Sequence, residues 1–279
     1  MKLLRYYDAS TPRPGLLDES AVVRDTTSLV SDYKPDTLLP ALKALATCDP
    51  SSLPQVATVS ELRLAPPISA PSKIVGVAKN YKDHAKEMGG DPPPEPTIFL
   101  KAPSAVTGPN DHIELPPDSR KTDWEVELGV VIGALAKSIT QDRAHEHIAG
   151  YTIINDISER HFQKERAGQF TKGKSYDTFA PLGPYLVTPD EVPDPHDLRL
   201  FTEIDGISRQ DGTSQDMIFK IPFLVSYISQ FMTLLPGDII ATGTPAGVGA
   251  GHNPPVFLQA GQSVKAGIEG LGEQSLSAR

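Results

Sequence analysis

Trp124-Glu-Val-Glu-Leu-Gly-Val-Val-Ile132 reads as a strand, and the placement of its two carboxylates decides how the rest of the chain is read. Side chains alternate across a strand, so Glu125 and Glu127 point to one face while Trp124, Val126 and Leu128 point to the other. A second run, Tyr151-Thr-Ile-Ile-Asn-Asp156, ends in a third carboxylate that converges on the first two if the strands lie side by side. Three hard oxygen donors with no Cys or His between them suit Mg²⁺, Mn²⁺ or Ca²⁺ and suit zinc poorly. Two plainer readings stand beside this one. Glu125 and Glu127 also fit the solvated face of an antiparallel strand. Asp156, followed three residues later by Glu159, also fits a helix-capping box.

Around this stretch, residues 1–66 read as a small α/β domain. Leu3 to Tyr7 and Ala21 to Arg24 are strand-like around a Pro14-Gly15 turn, and Leu38, Leu42 and Leu45 form a helical stripe. Pro66-Pro67 and Pro71 punctuate the chain as a linker. Residues 67–279 alternate short β-rich runs with Pro and Gly turns, with 27 Pro in all, which favours a mostly β domain over a βαβ alternation. The fold class expected is therefore α+β, a compact sandwich or roll behind a small N-terminal unit.

Composition narrows the partners. A chain of 279 residues with net charge −9 offers no basic face for nucleic acid or an anionic membrane surface. Cys48 is alone, so no internal disulfide forms, and Met1-Lys-Leu-Leu-Arg5 lacks the apolar core of a secretory signal. The expected setting is the cytoplasm. The apolar stretch from Ile221 to Leu235 is too short and too interrupted to cross a bilayer and reads as a buried helix.

Other groups add chemistry. If Gly76-Val-Ala-Lys-Asn-Tyr-Lys-Asp-His84-Ala-Lys-Glu87 turns helical, His84 and Glu87 are neighbours at i and i+3. A carboxylate beside an imidazole fixes its tautomer and makes a workable base for activating water; a solvated, charge-rich helix is the plainer alternative. Lys101, Arg160, Gln163 and Lys174 are polar groups suited to an anionic substrate or an oxyanion, and equally to a soluble surface. Gly237-Asp-Ile-Ile-Ala-Thr-Gly-Thr244-Pro-Ala-Gly-Val-Gly249 is a strand leading into a Gly-rich loop. It lacks a P-loop ending, but its amides suit a carboxylate. Gly89-Gly90 beside Pro92-Pro-Pro-Glu-Pro96 reads as a hinge on a short lid.

In their order along the chain, Asn80-Tyr-x-x-His84-x-x-Glu87, Phe99-Leu-Lys101, Glu125-x-Glu127-Leu-Gly, Asn155-Asp156, Gly173-Lys174-Ser and the Gly237–Gly249 run resemble the fumarylacetoacetate hydrolase family. The resemblance runs from about Ile74 to the C-terminus. It implies a mixed β-sandwich-like roll, a homodimer, and Mg²⁺ or Mn²⁺ held by Glu125, Glu127 and Asp156. It also implies His84, Glu87 and Lys174 as catalytic residues, with Lys101, Arg160, Gln163 and Thr244 at the substrate. The expected activity is metal-dependent hydrolysis of a C–C bond in an acylpyruvate-type 2,4-diketo acid, giving pyruvate and a carboxylic acid. The tail around His252 and Gly267 to Gly272 resembles members acting on 2,4-diketo-3-deoxy-L-rhamnonate or -fuconate. Decarboxylation of oxaloacetate, isomerisation of an unsaturated diacid, and simple carboxylate binding are the alternatives.

Overall fold

The computed structural model describes residues 1–279. Two mixed sheets carry the α+β fold, with only four α-helices: α1 (Leu38–Leu45), α2 (Lys82–Glu87), α3 (Phe170–Lys174) and α4 (Ile221–Phe231). The larger sheet runs, edge to edge, Gln55–Thr58, Val22–Asp25, Thr11–Leu17, Lys2–Asp8, Leu186–Val187, Ile148–Asn155, Val126–Ile132, Ile239–Ala241, Ile74–Ala78 and Thr97–Lys101. The smaller runs Ile207–Thr213, Arg199–Ile204, Ser263–Ile268, Gly272–Ala278 and His112–Ile113.

Strand Val126–Ile132 lies near the middle of the larger sheet and is buried along its whole length. Its apolar run of Val, Leu and Ile suits a strand covered on both faces. Val126, Leu128, Val130 and Ile132 pack with Leu200 and Ile268 of the smaller sheet and with Ile221, Leu224 and Ile228 of α4. Trp124 does not share their side as expected. It belongs to the other core cluster, with Ile154, Ile157 and Phe179, and precedes the ladder, which begins at Val126. Glu125 and Glu127 are not a solvated face either; they are 5 % and 2 % exposed.

The expected boundary between residues 1–66 and 67–279 is bridged twice. Lys2–Asp8 pairs antiparallel with Leu186–Val187, so the N-terminal strands extend the same sheet. Leu3, Leu16, Tyr33 and Leu38 share one core with Ile74, Trp124 and Val264. Pro14-Gly15, read as a turn, sits inside strand Thr11–Leu17, and the hairpin turns instead at Ala9 and Ser10. The neighbouring strand pairs only with Gly15 to Leu17, so Pro12 and Pro14, which have no N–H to donate, lie where that edge has no ladder. The helix expected through Leu235 stops at Phe231 and buries one face only; Phe231 itself is 62 % exposed. No helix is long and apolar enough to cross a membrane.

Candidate active site

Strands Ile148–Asn155, Ile239–Ala241 and Ile74–Ala78 finish at the same end of the sheet at which Val126–Ile132 begins. The loops leaving that end enclose a cavity of about 330 Å³. Because Val126 is paired with Asn155, Glu125 and Asp156 are brought side by side, and the Asp156 amide donates to the Glu125 carbonyl at 2.8 Å. One carboxylate oxygen from each of Glu125, Glu127 and Asp156 lies within 4.8 Å of the others, all three buried and all three lining the cavity. Asp156 is followed by the strand Ser158–Glu159, so it caps no helix. Glu159 instead accepts from Ser119 and Thr122.

Like charges this close repel by about 3 kcal/mol per pair at an effective dielectric near 20, so the arrangement persists only with cations beside it. Three are present. Lys174 Nζ donates to Glu125 Oε2 at 2.6 Å and to Asp156 Oδ2 at 2.5 Å. Lys101 Nζ donates to Asp156 Oδ1 at 2.5 Å and to the Ile157 carbonyl at 3.2 Å. Arg160 donates to Glu125 Oε1 at 2.5 Å, to Asp123 Oδ2 at 2.8 Å and to Gln163 Oε1 at 3.1 Å. Gly173 lets Lys174 reach this far inward, since a Cβ there would lie 2.6 Å from the Glu159 carbonyl and the Gln163 backbone.

The titration of the cluster follows its partners. Burial raises Glu125, but Arg160 and then Lys174 outweigh it and hold the carboxyl far below the ordinary range. Burial pushes Glu127 well up, and Asp156 and Glu125 push it further. The two lysines on Asp156 move oppositely. Burial wins at Lys101, which has one carboxylate and is repelled by Lys174; at Lys174 burial is outweighed by Asp156 and Glu125 together. Glu127 is thus the carboxylate without a cation partner, held only by the Gly243 amide at 2.7 Å. Burial and the neighbouring carboxylates disfavour ionised Glu127 without an added cation, and the all-oxygen donor set fits a hard divalent one.

His84 lies on α2, and its Nδ1 is 3.1 Å from Glu87 Oε2. Glu87 Oε1 accepts from the Gly247 amide at 2.9 Å, which fixes the carboxylate that orients the imidazole. With Nδ1–H given to Glu87, His84 Nε2 is the free lone pair, and His84 lines the same cavity as the three carboxylates. The Gly-rich loop does hold carboxylates through its amides, but they are the chain's own: Glu127 at Gly243, Glu87 at Gly247 and Asp123 at Gly249.

Arg160, Gln163, Lys174 and Thr244 line the cavity beside the dyad and the carboxylates. Lys101 does not. It is fully buried behind Asp156 as a counter-ion, in place of the substrate contact expected of it. The Thr244 hydroxyl is engaged in both senses, donating to the Val126 carbonyl and accepting from Gln210. Asp123 escaped the sequence reading. Buried, it pairs with Arg160 and accepts from Gly249 and Ala250, and its spacing two residues before Glu125 was the available signal. Phe99 and Phe170, with ring centroids 5.9 Å apart, form an aromatic wall that was also missed.

A sheet-based roll that gathers three buried carboxylates and a His–Glu pair in one cavity has the form of an enzyme active site. Residues 73–276 match the sequence profile described as Fumarylacetoacetate (FAA) hydrolase C-terminal. A protein of Burkholderia orbicola (strain MC0-3), provisionally named a hydrolase, is 51% identical over 276 residues, covering 98% of this chain and 97% of its own. The structure of fumarylacetoacetate hydrolase from psychrophilic Exiguobacterium antarcticum superposes with a TM-score of 0.89 at 38% identity, covering 100% and 99% of the two chains. That of 5-carboxymethyl-2-hydroxymuconate delta-isomerase from Mycobacterium smegmatis gives 0.80 at 35% identity, covering 100% and 98%. The chain belongs to the fumarylacetoacetate hydrolase family, a family of enzymes that typically bind a divalent metal.

Proposed function

We propose that the chain is a metal-dependent hydrolase that cleaves the C–C bond of an acylpyruvate-type 2,4-diketo acid, giving pyruvate and a carboxylic acid. The observation that carries this reading is one cavity holding both the three carboxylates and a His84 whose Nε2 is free to take a proton. Glu125, Glu127 and Asp156 would hold Mg²⁺ or Mn²⁺, with Ca²⁺ able to stand in, and the ion supplies Lewis-acid polarisation of the 2-oxo acid end. Arg160 and Gln163, on the adjoining wall, orient the pyruvate carboxylate. His84 Nε2 takes a proton from water as the oxygen attacks C4, and Glu87 stabilises the imidazolium that results. Lys174 has one N–H beyond the two given to Glu125 and Asp156, and we assign this donor to the developing C4 oxyanion. The C3–C4 bond breaks, the acyl part leaves as a carboxylic acid, and protonation at C3 completes pyruvate.

His84→Ala tests the assignment. Pyruvate release from an acylpyruvate should fall by on the order of 10²-fold or more, the scale of a general base, while any oxaloacetate decarboxylation falls less because it needs no activated water. Equal loss of both would remove the water-activating role. The likeness to a protein named as an isomerase supports a second reading, proton transfer within an unsaturated diacid by the same His84. Ultraviolet change in such a diacid without pyruvate formation would favour it.

A further inference from the structure

Asp123 is fully buried and is not among the residues that line the cavity, yet both sides of the centre hang on it. It ends the short strand Thr122–Asp123, whose pairing with Ser158–Glu159 sets Asp123 opposite Ser158 and so beside Arg160, two residues further on. Arg160 Nε donates to Asp123 Oδ2 at 2.8 Å. The other carboxylate on Arg160 is Glu125, one of the three assigned to the ion, whereas the ion pair of Asp123 is with Arg160 alone.

On its other side Asp123 holds the Gly-rich loop. The Gly249 amide donates to Oδ1 at 2.6 Å and the Ala250 amide to Oδ2 at 3.1 Å. This approach needs a glycine, since a Cβ at 249 would stand 2.7 Å from Asp123 Oδ1 and 1.9 Å from the Val256 carbonyl. The neighbouring Trp124 indole donates to the Gly247 carbonyl at 3.1 Å, and the amide of the same Gly247 donates to Glu87 at 2.9 Å. Residues 247–251 thus run from Asp123 and Trp124 to the carboxylate that orients His84. The four donors on Asp123 divide evenly: the Trp124 and Gly249 amides meet Oδ1, and Arg160 and the Ala250 amide meet Oδ2. A neutral amide of the same shape has one acceptor oxygen and turns its NH₂ against two donors. Whichever way it turns, one loop amide loses its acceptor and Arg160 loses an ionised partner.

We propose that Asp123, assisted by the Trp124 indole, is a positioning residue for catalysis. One carboxylate sets both the arginine that orients the substrate and the loop that fixes Glu87 behind His84, so that the substrate and its base are held in a single geometry. This deepens the hydrolase reading and rests on it.

Asp123→Asn tests it. With Mg²⁺ present, kcat for pyruvate release should fall by roughly tenfold or more while KM rises, the scale of a lost orienting partner. Oxalate, titrated by calorimetry with Mg²⁺, should bind about fivefold or more weakly through the loosened Arg160. Two double-mutant cycles separate positioning from a general loosening of the fold. In a Glu87→Gln background Asp123→Asn should cost little further kcat, and in an Arg160→Lys background little further oxalate affinity. Additive losses in either cycle would make Asp123 a structural acid only and overturn the linkage. The loop arm is also read without turnover, in the NMR signal of the His84 Nδ1 proton, identified by its absence in His84→Gln. Asp123→Asn should shift this signal; Trp124→Phe, which keeps Asp123 and an aromatic ring, should shift it with oxalate affinity unchanged, and serves if Asp123→Asn does not fold. A signal unmoved in every folded variant overturns the proposal. A shifted signal with weakened oxalate binding, in a protein that releases no pyruvate from acylpyruvates, keeps the positioning role and overturns the hydrolase reading.

Discussion

Glu127 is the residue on which the electrostatics of the centre turn, because it alone among the three carboxylates lacks a cation. Glu127→Gln removes the repulsion while keeping an acceptor for the Gly243 amide. The metal-free variant should melt at or slightly above the wild-type temperature, bind Mg²⁺ at least tenfold more weakly by calorimetry, and lose most activity. Wild-type activity in chelator-treated buffer would exclude these carboxylates as the metal site. Gly251 gives a second residue-level test. A Cβ there would lie 2.2 Å from the Glu87 carboxyl carbon, and its nearest neighbours are all Glu87 atoms. Gly251→Ala should therefore displace Glu87 and lower kcat by roughly tenfold or more through the misoriented imidazole, with little change in melting temperature. An unchanged kcat would show that the Glu87 contact does not orient His84. Spacing alone suggested the His84–Glu87 neighbourhood and the common face of Glu125 and Glu127, since i, i+3 on a helix and i, i+2 on a strand are local geometry, but the choice over a solvated helix or strand face came from the family resemblance. Asp123 and the inward reach of Lys101 were not legible, because only the packed ends of separate strands show which cation meets which carboxylate.

At the scale of elements, two segments respond to conditions. The first turn of α4 has no side-chain cap of its own; His196, distant in sequence, accepts from the Ile221 amide through Nε2 at 3.2 Å. Only a neutral imidazole accepts there. Partial burial first, and Lys220 second, hold His196 below its ordinary value of 6.5. The unfolded chain then binds more protons as pH falls below about 6.5, so this contribution to stability is complete above that range and is lost on acidification. Replacing it by His196→Gln, which keeps an acceptor but does not titrate, should flatten the dependence of melting temperature on pH between about 7 and 5; an unchanged slope would show the cap is not titrating. The second segment is the stretch from α2 through the Pro tract, joined to the body by Glu87 to Gly247 and by Tyr227 to Glu95 at 2.9 Å. Hydrogen exchange over residues 80–95 should slow when Mg²⁺ and oxalate are added, because the bound anion packs against His84. Equal, strong protection in both states would show a preformed cover. The Gly89-Gly90 and Pro signals marked this stretch, and the strands beside it were legible from their apolar runs. The turn in Thr11–Leu17 was misplaced because a proline in a strand is tolerated only where a neighbour fails to pair, which is information of sheet order.

In the whole molecule the candidate site lies at one end of the middle strands of the larger sheet, and the N-terminal strands share both that sheet and its core. Residues 67–279 expressed alone would leave Leu186–Val187 without its edge partner and open the space filled by Leu3, Leu16, Tyr33 and Leu38. Each such buried leucine is worth a few kcal/mol, more in sum than the margin of an ordinary domain. That fragment should show no cooperative thermal transition by circular dichroism; a transition near that of the full chain would establish 1–66 as an independent unit. The central claim, that water is added across a C–C bond by His84 and its neighbours, is tested most directly by isotope. Turnover of a 2,4-diketo acid with Mg²⁺ in ¹⁸O-labelled water, read promptly by mass spectrometry and compared with the substrate incubated alone, should place one solvent oxygen in the carboxylic acid released from C4, with pyruvate as the second product. Release of CO₂, or rearrangement without pyruvate and without label in a new carboxyl group, would contradict it.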